Sequence, residues 1–255
     1  MAVSSISAPE PSRRRLTRHP RILIGLAALA VLAVVGGGVG LWYILIGPPA
    51  PASVNAGPPA VPSNAAVAAP ASLDGSWKVV DNIGSVDDAT ATFAGYRVQE
   101  QLAGVGGHTA VGRTPNVTGS MTLKGSVVSD VQITVDMTTI KSDDKFRDDE
   151  LKTKGIETST FPTATFKTTG PIDLGSLPSE GQTVTVNAGG ELTLHGVTRP
   201  ITMSLQARRV GGIIAVTGST PINFADWSIQ RPISFAVVSV DDHGTMEVHL
   251  LFTHA

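Results

Sequence analysis

From Leu73 to the C-terminus, apolar and polar residues alternate with a period of two, and this pattern constrains the fold more than any other feature. The alternation is clearest over residues 131–138, 201–206 and 246–253. Successive side chains of a strand point to opposite faces, so the pattern predicts strands with one buried and one solvated face. Glycine and proline punctuate these segments as turns between antiparallel strands do. We therefore expect an all-β domain, either a barrel or a sandwich, because periodicity alone does not choose between them.

One segment, residues 142–153, breaks this alternation. It is rich in charged residues and has no β-branched residue until its end. Ser142 or Asp143 could cap a helix there, and acidic residues near the start suit the helix dipole. The sequence predicts one short helix of about ten residues, with Phe146 and Leu151 as its apolar contacts.

The N-terminal part of the chain has the pattern of a membrane anchor. Residues 22–46 carry no charge, and these 25 residues would span about 37 Å as a helix, enough to cross a hydrocarbon core of about 30 Å. Five arginines precede the span, while Trp42 and Tyr43 lie near its far end. We expect residues 1–21 to be cytoplasmic, 22–46 to form a single transmembrane helix and the rest to lie outside the cytoplasm. A cleaved signal peptide is the alternative, but its apolar region ordinarily has only about 7–15 residues.

Residues 47–72 separate this span from the β-rich region. They are rich in Pro, Ala and Ser and carry no charge. Such a segment favours extended polyproline II, and at full extension it would reach roughly 80 Å. We interpret it as a linker that holds the domain of residues 73–255 away from the membrane.

Composition excludes several kinds of chemistry. The chain has no cysteine, which rules out disulfides, thiolate catalysis, a lipoprotein anchor and Cys-based zinc sites. From Leu73 onward the net charge is −6, so nucleic acid is not an expected partner. No nucleophile elbow, phosphate loop or His-Glu-x-x-His string is present. We therefore expect no catalytic residue, no metal, no cofactor and no enzymatic activity; the sequence does not indicate an oligomeric state.

Several short strings together carry a family resemblance. They are Tyr96-Arg97-Val98-Gln99, Arg147-Asp148 with Leu151, Phe161-Pro162 with Phe166, Leu192-Thr-Leu-His-Gly-Val-Thr-Arg-Pro200 and Trp227-Ser-Ile-Gln-Arg231. In this order they resemble the YceI-like family, over essentially all of residues 73–255. The resemblance implies an extended, lipocalin-like antiparallel β-barrel with the short helix near one mouth. It also implies an apolar lumen that binds polyisoprenoids or similar amphiphiles.

The candidate ligand-binding residues follow from the alternation and from these strings. Tyr96, Val98 and Glu100 share one face of an early strand, so they would point inward if that face is the apolar one. Arg97, Arg113 and Arg231 are candidates for a positive site near a mouth. The full set for the lumen and mouth is Tyr96, Arg97, Val98, Glu100, Val131, Ile133, Val135, Ile201, Met203, Leu205, Trp227 and Arg231.

The sequence departs from the family pattern at Glu100, where many relatives have histidine, and in the glycine-rich loop expected at residues 104–114, which is longer than the family pattern predicts. Both departures lie where a head group could be held. Three functions therefore stay open at this point. The first is an anchored binding protein for an isoprenoid-type lipid or a quinone. The second is an enzyme acting on such a lipid with Glu100 as its base. The third is a surface or stress-response protein whose barrel is filled by its own side chains.

Overall fold

The computed structural model describes residues 50–54, 57–62, 65, 67–104, 106–231 and 237–255. These residues form thirteen strands, one α-helix and two short 3-10 turns. The bounds are β1 Gly75–Val80, β2 Phe93–Leu102, β3 Gly106–Thr114, β4 Val117–Lys124, β5 Val127–Asp136, β6 Lys141–Ser142, β7 Thr163–Thr168, β8 Ile172–Asp173, β9 Thr183–Leu194, β10 Val197–Val210, β11 Ile213–Asn223, β12 Val237–Val240, β13 His243–His254, helix α1 Lys145–Glu150 and the 3-10 turns Met137–Thr139 and Phe224–Trp227.

Eight of these strands close into a barrel. They pair in the order β1-β4-β5-β7-β9-β10-β11-β13, and β1 pairs with β13 to complete the ring. Strand β13 is long enough to bind two neighbours on one edge: residues 251–254 pair with β1 and residues 245–249 pair with β2. Strands β2, β3 and β6 therefore extend the wall beyond the end of β1. The prediction of a loop at residues 104–114 is wrong from residue 106 onward, because these residues form β3 and pair with β2. All the pairings are antiparallel, and the closed ring decides for a barrel over a sandwich.

The predicted alternation holds on β5 and β10. Ile133 and Val135 are buried, whereas Thr134 between them is exposed; Met203 is buried, whereas Ser204 is exposed. The inward residues of β13 likewise belong to the main apolar core. The expectation of one solvated face is wrong on the other side of the barrel, where the outward residues Glu247 and His249 are also buried.

The segment that covers this outer face is part of the predicted linker. We call the described residues of 50–68 the strap. Val61, Ala65 and Val67 pack against an outward apolar cluster of Ile213, Ala215 and Leu251. The backbone N–H of Gly212 donates to the carbonyl of Val67 at 2.9 Å. The strap therefore belongs to the folded unit and is not a free spacer along these residues, because the barrel offers it an apolar outer groove.

Helix α1 is shorter than expected and begins later. Its N-cap is Asp144, whose carboxylate accepts from the backbone N–H of Phe146, instead of Ser142 or Asp143. Leu151 is buried as predicted, but Phe146 is 84% exposed and makes no core contact. A helix of six residues is too short to bury a second apolar side chain. From residue 151 the chain continues as turns.

In the part of the chain that the structure describes, no helix is long and apolar enough to cross a membrane. The predicted transmembrane span 22–46 and the basic segment 1–21 lie outside the described residues.

Candidate ligand cavity and its two ends

The barrel encloses a cavity of about 160 Å³. A buried water needs only about 10–15 Å³, so this space is large enough for a much bigger ligand. Seven of the eight ring strands, all except β1, contribute apolar side chains to its wall. Five of the predicted lumen residues line it, namely Val131, Ile133, Val135, Met203 and Leu205.

Two other predicted lumen residues lie in the core instead of the cavity wall. Ile201 packs against the main apolar cluster, and Trp227 is a buried member of it. The carbonyl of Trp227 accepts a hydrogen bond from Nδ1 of His195 at 3.0 Å. Nε2 of His195 also lies 2.8 Å from a carboxylate oxygen of Glu157. These contacts join the β9–β10 turn to the chain before β7 and to the 3-10 turn after β11, so they are structural.

The string at residues 192–200 has a conformational role in this turn. His195 and Gly196 both have positive φ angles, of 50° and 72°, in the left-handed region that turns require. Leu192 and Leu194 before them are buried in the core. This string of the family resemblance therefore specifies the β9–β10 hairpin.

Arg97 and Arg113 do not reach the lumen, and the prediction that they form a mouth site is wrong. Arg97 lies on the face of β2 opposite to Tyr96 and pairs with Glu247 at 2.9 Å. Arg113 pairs with the same carboxylate at 2.8 Å, and its guanidinium lies 4.2 Å from the centre of the Phe93 ring. Both arginines also donate to strap carbonyls, Arg97 to Pro51 and Arg113 to Ala52. They hold the strap on the outer wall.

Arg231 is exposed and donates to the carbonyl of Val240 at 3.2 Å. It does not contribute to the cavity wall. Its position in a family string therefore gave no information about the lumen. This string instead contributes two buried side chains, Trp227 at the end of the 3-10 turn Phe224–Trp227 and Ile229 just after it.

Glu100 lies at the end of the barrel next to helix α1. We call Glu100, His108, Asp143 and Arg147 the capping cluster. Glu100 is buried and accepts hydrogen bonds from Arg147 of helix α1 and from His108 of β3, the latter at 3.0 Å. Arg147 also pairs with Asp143. Burial alone would lower the pKa of Arg147, but the carboxylates of Glu100 and Asp143 outweigh it and leave that pKa raised. The cluster ties the helix to the β2–β3 hairpin.

Tyr96 and Val98 share a face of β2 with Glu100, but neither contributes to the cavity wall. Gly112 leaves room for the ring of Tyr96, since a Cβ there would lie 2.4 Å from it. Burial raises the pKa of the Tyr96 phenol. Its hydroxyl is shielded and has no hydrogen-bond partner among the described residues. These residues therefore share one face of β2 as predicted, but that face lies next to the capping cluster and not along the cavity wall.

The other end of the cavity is cationic, and sequence reasoning missed it. Arg208 and Arg209 contribute to the wall beside Leu177 and Pro178. Alternation was the available signal, because Arg209 continues the inward series of Met203, Leu205 and Ala207. Nη1 of Arg209 donates to the carbonyl of Gly211 at 3.2 Å and lies 3.5 Å from a carboxylate oxygen of Glu180.

No group of three or more His, Cys, Asp or Glu side chains that could hold a metal ion occurs within the described ranges. His249 and His254, the closest pair in the sequence, have separate partners. His249 contacts the carbonyls of Ala91 and Ala60, and His254 contacts that of Asp74.

A closed antiparallel barrel around an apolar cavity defines the class of small barrels that can enclose an apolar ligand. Residues 86–252 match the YceI-like domain. The chain therefore belongs to the YceI-like family, as its sequence strings predicted. A comparison with curated proteins found no match.

Several solved structures are similar to this chain, and a domain from Saccharophagus degradans shows the same fold. A polyisoprenoid binding domain from Saccharophagus degradans, implicated in plant cell wall breakdown, is 18% identical with a TM-score of 0.51, covering 70% of this chain and 98% of that one. BcnA of Burkholderia cenocepacia is 19% identical with a TM-score of 0.47, covering 62% of this chain and 95% of that one. The YCEI protein of Campylobacter jejuni is 13% identical with a TM-score of 0.46, covering 56% and 84%.

Proposed function

We propose that this chain is a binding protein for an amphiphilic, isoprenoid-type lipid whose tail lies in the barrel cavity. The observation that carries the proposal is the wall of this cavity. Among the residues that the structure describes, this wall is apolar along its length and charged only at the Arg208 and Arg209 end. Removing apolar surface from water stabilises a complex by roughly 2.5 kcal/mol for each 100 Å², before the costs of ordering. The description of the Saccharophagus domain as polyisoprenoid-binding supports the same class of ligand.

The chemistry of the cavity favours binding over catalysis. Its wall, as far as the structure describes it, includes no carboxylate and no histidine. General acid–base catalysis needs such a group within hydrogen-bond reach of the substrate. Glu100, the base of the enzymatic alternative, is already paired with Arg147 and His108. We therefore assign the chain a carrier or sequestering role and no catalytic residue.

We further propose that residues 22–46 anchor the protein in the cell membrane with the barrel on the extracytoplasmic side. The support is the sequence: an uncharged span of sufficient length, with five arginines before it. Arginine and lysine next to a span stay in the cytoplasm. An anchored lipid-binding barrel would take up or release its ligand close to the bilayer that contains it.

Binding is tested with the full chain in detergent, using farnesol as a probe and native mass spectrometry to detect lipid that copurifies. Val186 lines the cavity, whereas Thr185 beside it on β9 points outward and is exposed. Val186→Trp should fill the lumen and weaken farnesol binding at least about tenfold, because the bulkier side chain occupies the space of the tail.

Thr185→Trp is the matched control and should bind farnesol like the parent. A parent protein that carries no lipid and binds no farnesol would reject the proposed function and favour a self-filled barrel. Equal binding by both variants would place the ligand outside the lumen.

A further inference from the structure

The charge at the Arg209 end of the cavity is not balanced. Arg208 and Arg209 are adjacent residues of β10, and both contribute to the cavity wall. In the described part of the chain, the one carboxylate paired with either arginine is that of Glu180, which lies 3.5 Å from Nη1 of Arg209 and is 57% exposed. Arg208 has no ion-pair partner among the described residues. The two cations therefore have a single carboxylate partner among the described residues, and that carboxylate is well solvated.

The hydrogen bonding at this end is also incomplete. The Nε atoms of Arg208 and Arg209 are both shielded from solvent and have no partner in the described part of the chain. Buried donors are normally satisfied, and an arginine fork matches the oxygens of a phosphate or carboxylate. The position of Arg209 in the inward series of β10 directs its side chain to the cavity rather than to the outer wall.

We infer that this end of the cavity binds the anionic head group, a phosphate or a carboxylate, of the amphiphile whose tail fills the lumen. The inference rests on the proposed function and adds the charge of the ligand and the end at which it enters. Leu177, which is 40% exposed at the same end, marks where the apolar wall meets solvent.

The other buried arginines described above already have carboxylate partners, although Nη1 of Arg113 has no hydrogen-bond partner among the described residues. Arg97 and Arg113 share Glu247 on the outer wall, and Arg147 pairs with Glu100 and Asp143 at the opposite end. A head group placed at the capping cluster would have to displace carboxylates from Arg147. At Arg209 it would only have to compete with the exposed carboxylate of Glu180.

The test compares farnesyl phosphate, farnesol and inorganic phosphate by calorimetry on the full chain in detergent. The parent should bind farnesyl phosphate more tightly than farnesol by about 10- to 150-fold, the range of one charge-assisted contact. Arg209→Gln should lose that preference and keep the affinity for farnesol. Glu180→Gln should act in the opposite direction and strengthen the binding of farnesyl phosphate, because it removes the competing charge.

Arg199→Gln is the matched control, since Arg199 is on the same strand, half exposed and paired with Asp226. Ten residues separate it from Arg209, roughly 33 Å along a strand. It should bind all three probes like the parent.

The outcomes separate the inference from the proposed function. If farnesyl phosphate and farnesol bind equally well to the parent, or if Arg209→Gln keeps the preference, the head-group site is wrong and the lumen proposal stands. If neither prenyl compound binds, the proposed function fails and the head-group site fails with it. Binding of inorganic phosphate as tight as farnesyl phosphate would show an anion site without a lipid, which also overturns the inference.

Discussion

Glu247 is a carboxylate without solvent exposure on a face of β13 that alternation assigns to water. It is tolerated there because Nε of Arg97 donates to it at 2.9 Å and Nη2 of Arg113 at 2.8 Å. Gly95 pairs with both Glu247 and Arg113 across the sheet. A Cβ at Gly95 would lie 2.9 Å from Cγ of Arg113. The absent side chain therefore lets the ion pair form across the intervening strand.

Register at single residues is directly testable on β5, where Ile133 lines the cavity and Thr134 is exposed. Ile133→Asp should lower the free energy of unfolding by several kcal/mol, because it buries an unpaired charge. Thr134→Asp should change it by about 0.5 kcal/mol or less, as exposed substitutions do. Urea denaturation followed by tryptophan fluorescence measures both. Equal losses at the two positions would contradict the register.

At the level of residues, the sequence predicted correctly which side chains point inward where alternation alone decides this. It failed for arginines whose position depends on an ion-pair partner distant in the chain. The inward series on β5 and β10 was read correctly, and the same rule would have found Arg209. Arg97 and Arg113 were assigned to the mouth because they lie in or near family strings. Their real partner, Glu247, is more than a hundred residues away in the chain, and only strand register brings them together.

At the scale of elements, the strap is the segment whose structure differs most from the sequence prediction. Proline-rich chain has no internal hydrogen bonds, so it must find partners elsewhere when it is buried. Here it finds them in the side chains of Arg97, Arg113 and His249 and in the backbone of Gly212. The outward series Ile213 and Ala215 on β11 was an apolar signal of a covered face, but a strap without periodicity could not be matched to it.

The strap should make stability depend on pH through His249. Burial beneath the strap lowers the pKa of His249, and the nearby Arg113 adds to this, while the carbonyls of Ala91 and Ala60 oppose it. Because the folded pKa lies below the unfolded value of about 6.5, the unfolded chain binds the proton more readily. The stability linked to His249 is complete above pH 6.5 and falls as the pH decreases below it.

Urea midpoints measured between pH 7.5 and 5.5 should therefore fall for the parent. His249→Gln should flatten this part of the profile whatever its effect at pH 7.5. His254→Gln, whose histidine contacts Asp74 and not the strap, should keep the parental slope. A slope that survives in His249→Gln would show that other groups control it.

At the scale of the whole molecule, the sequence limited the choice to two all-β architectures, and closure decided between them. Pairing of β1 with β13 joins strands almost at the two ends of the domain. No local pattern encodes such a contact, because both strands would alternate in the same way in a sandwich. The resemblance to the YceI-like family supplied the barrel that periodicity could not. It did not supply the cavity's cationic end, since neither Arg208 nor Arg209 lies in a family string.

The orientation of the whole chain in a membrane remains a prediction and can be measured. Five arginines precede residue 22, and residues 22–72 contain no charged residue. This distribution predicts an N-terminus in the cytoplasm and a barrel outside it. Protease added to intact protoplasts should remove a C-terminal epitope while an N-terminal epitope stays protected. A cytosolic marker protein that also survives would show that the membrane stayed closed.

Replacing all five arginines by glutamine should weaken this orientation, because the positive charges that retain the N-terminus are lost. Protection of the barrel in the parent would contradict the predicted topology, and release of a shortened barrel without protease would favour a cleaved signal peptide.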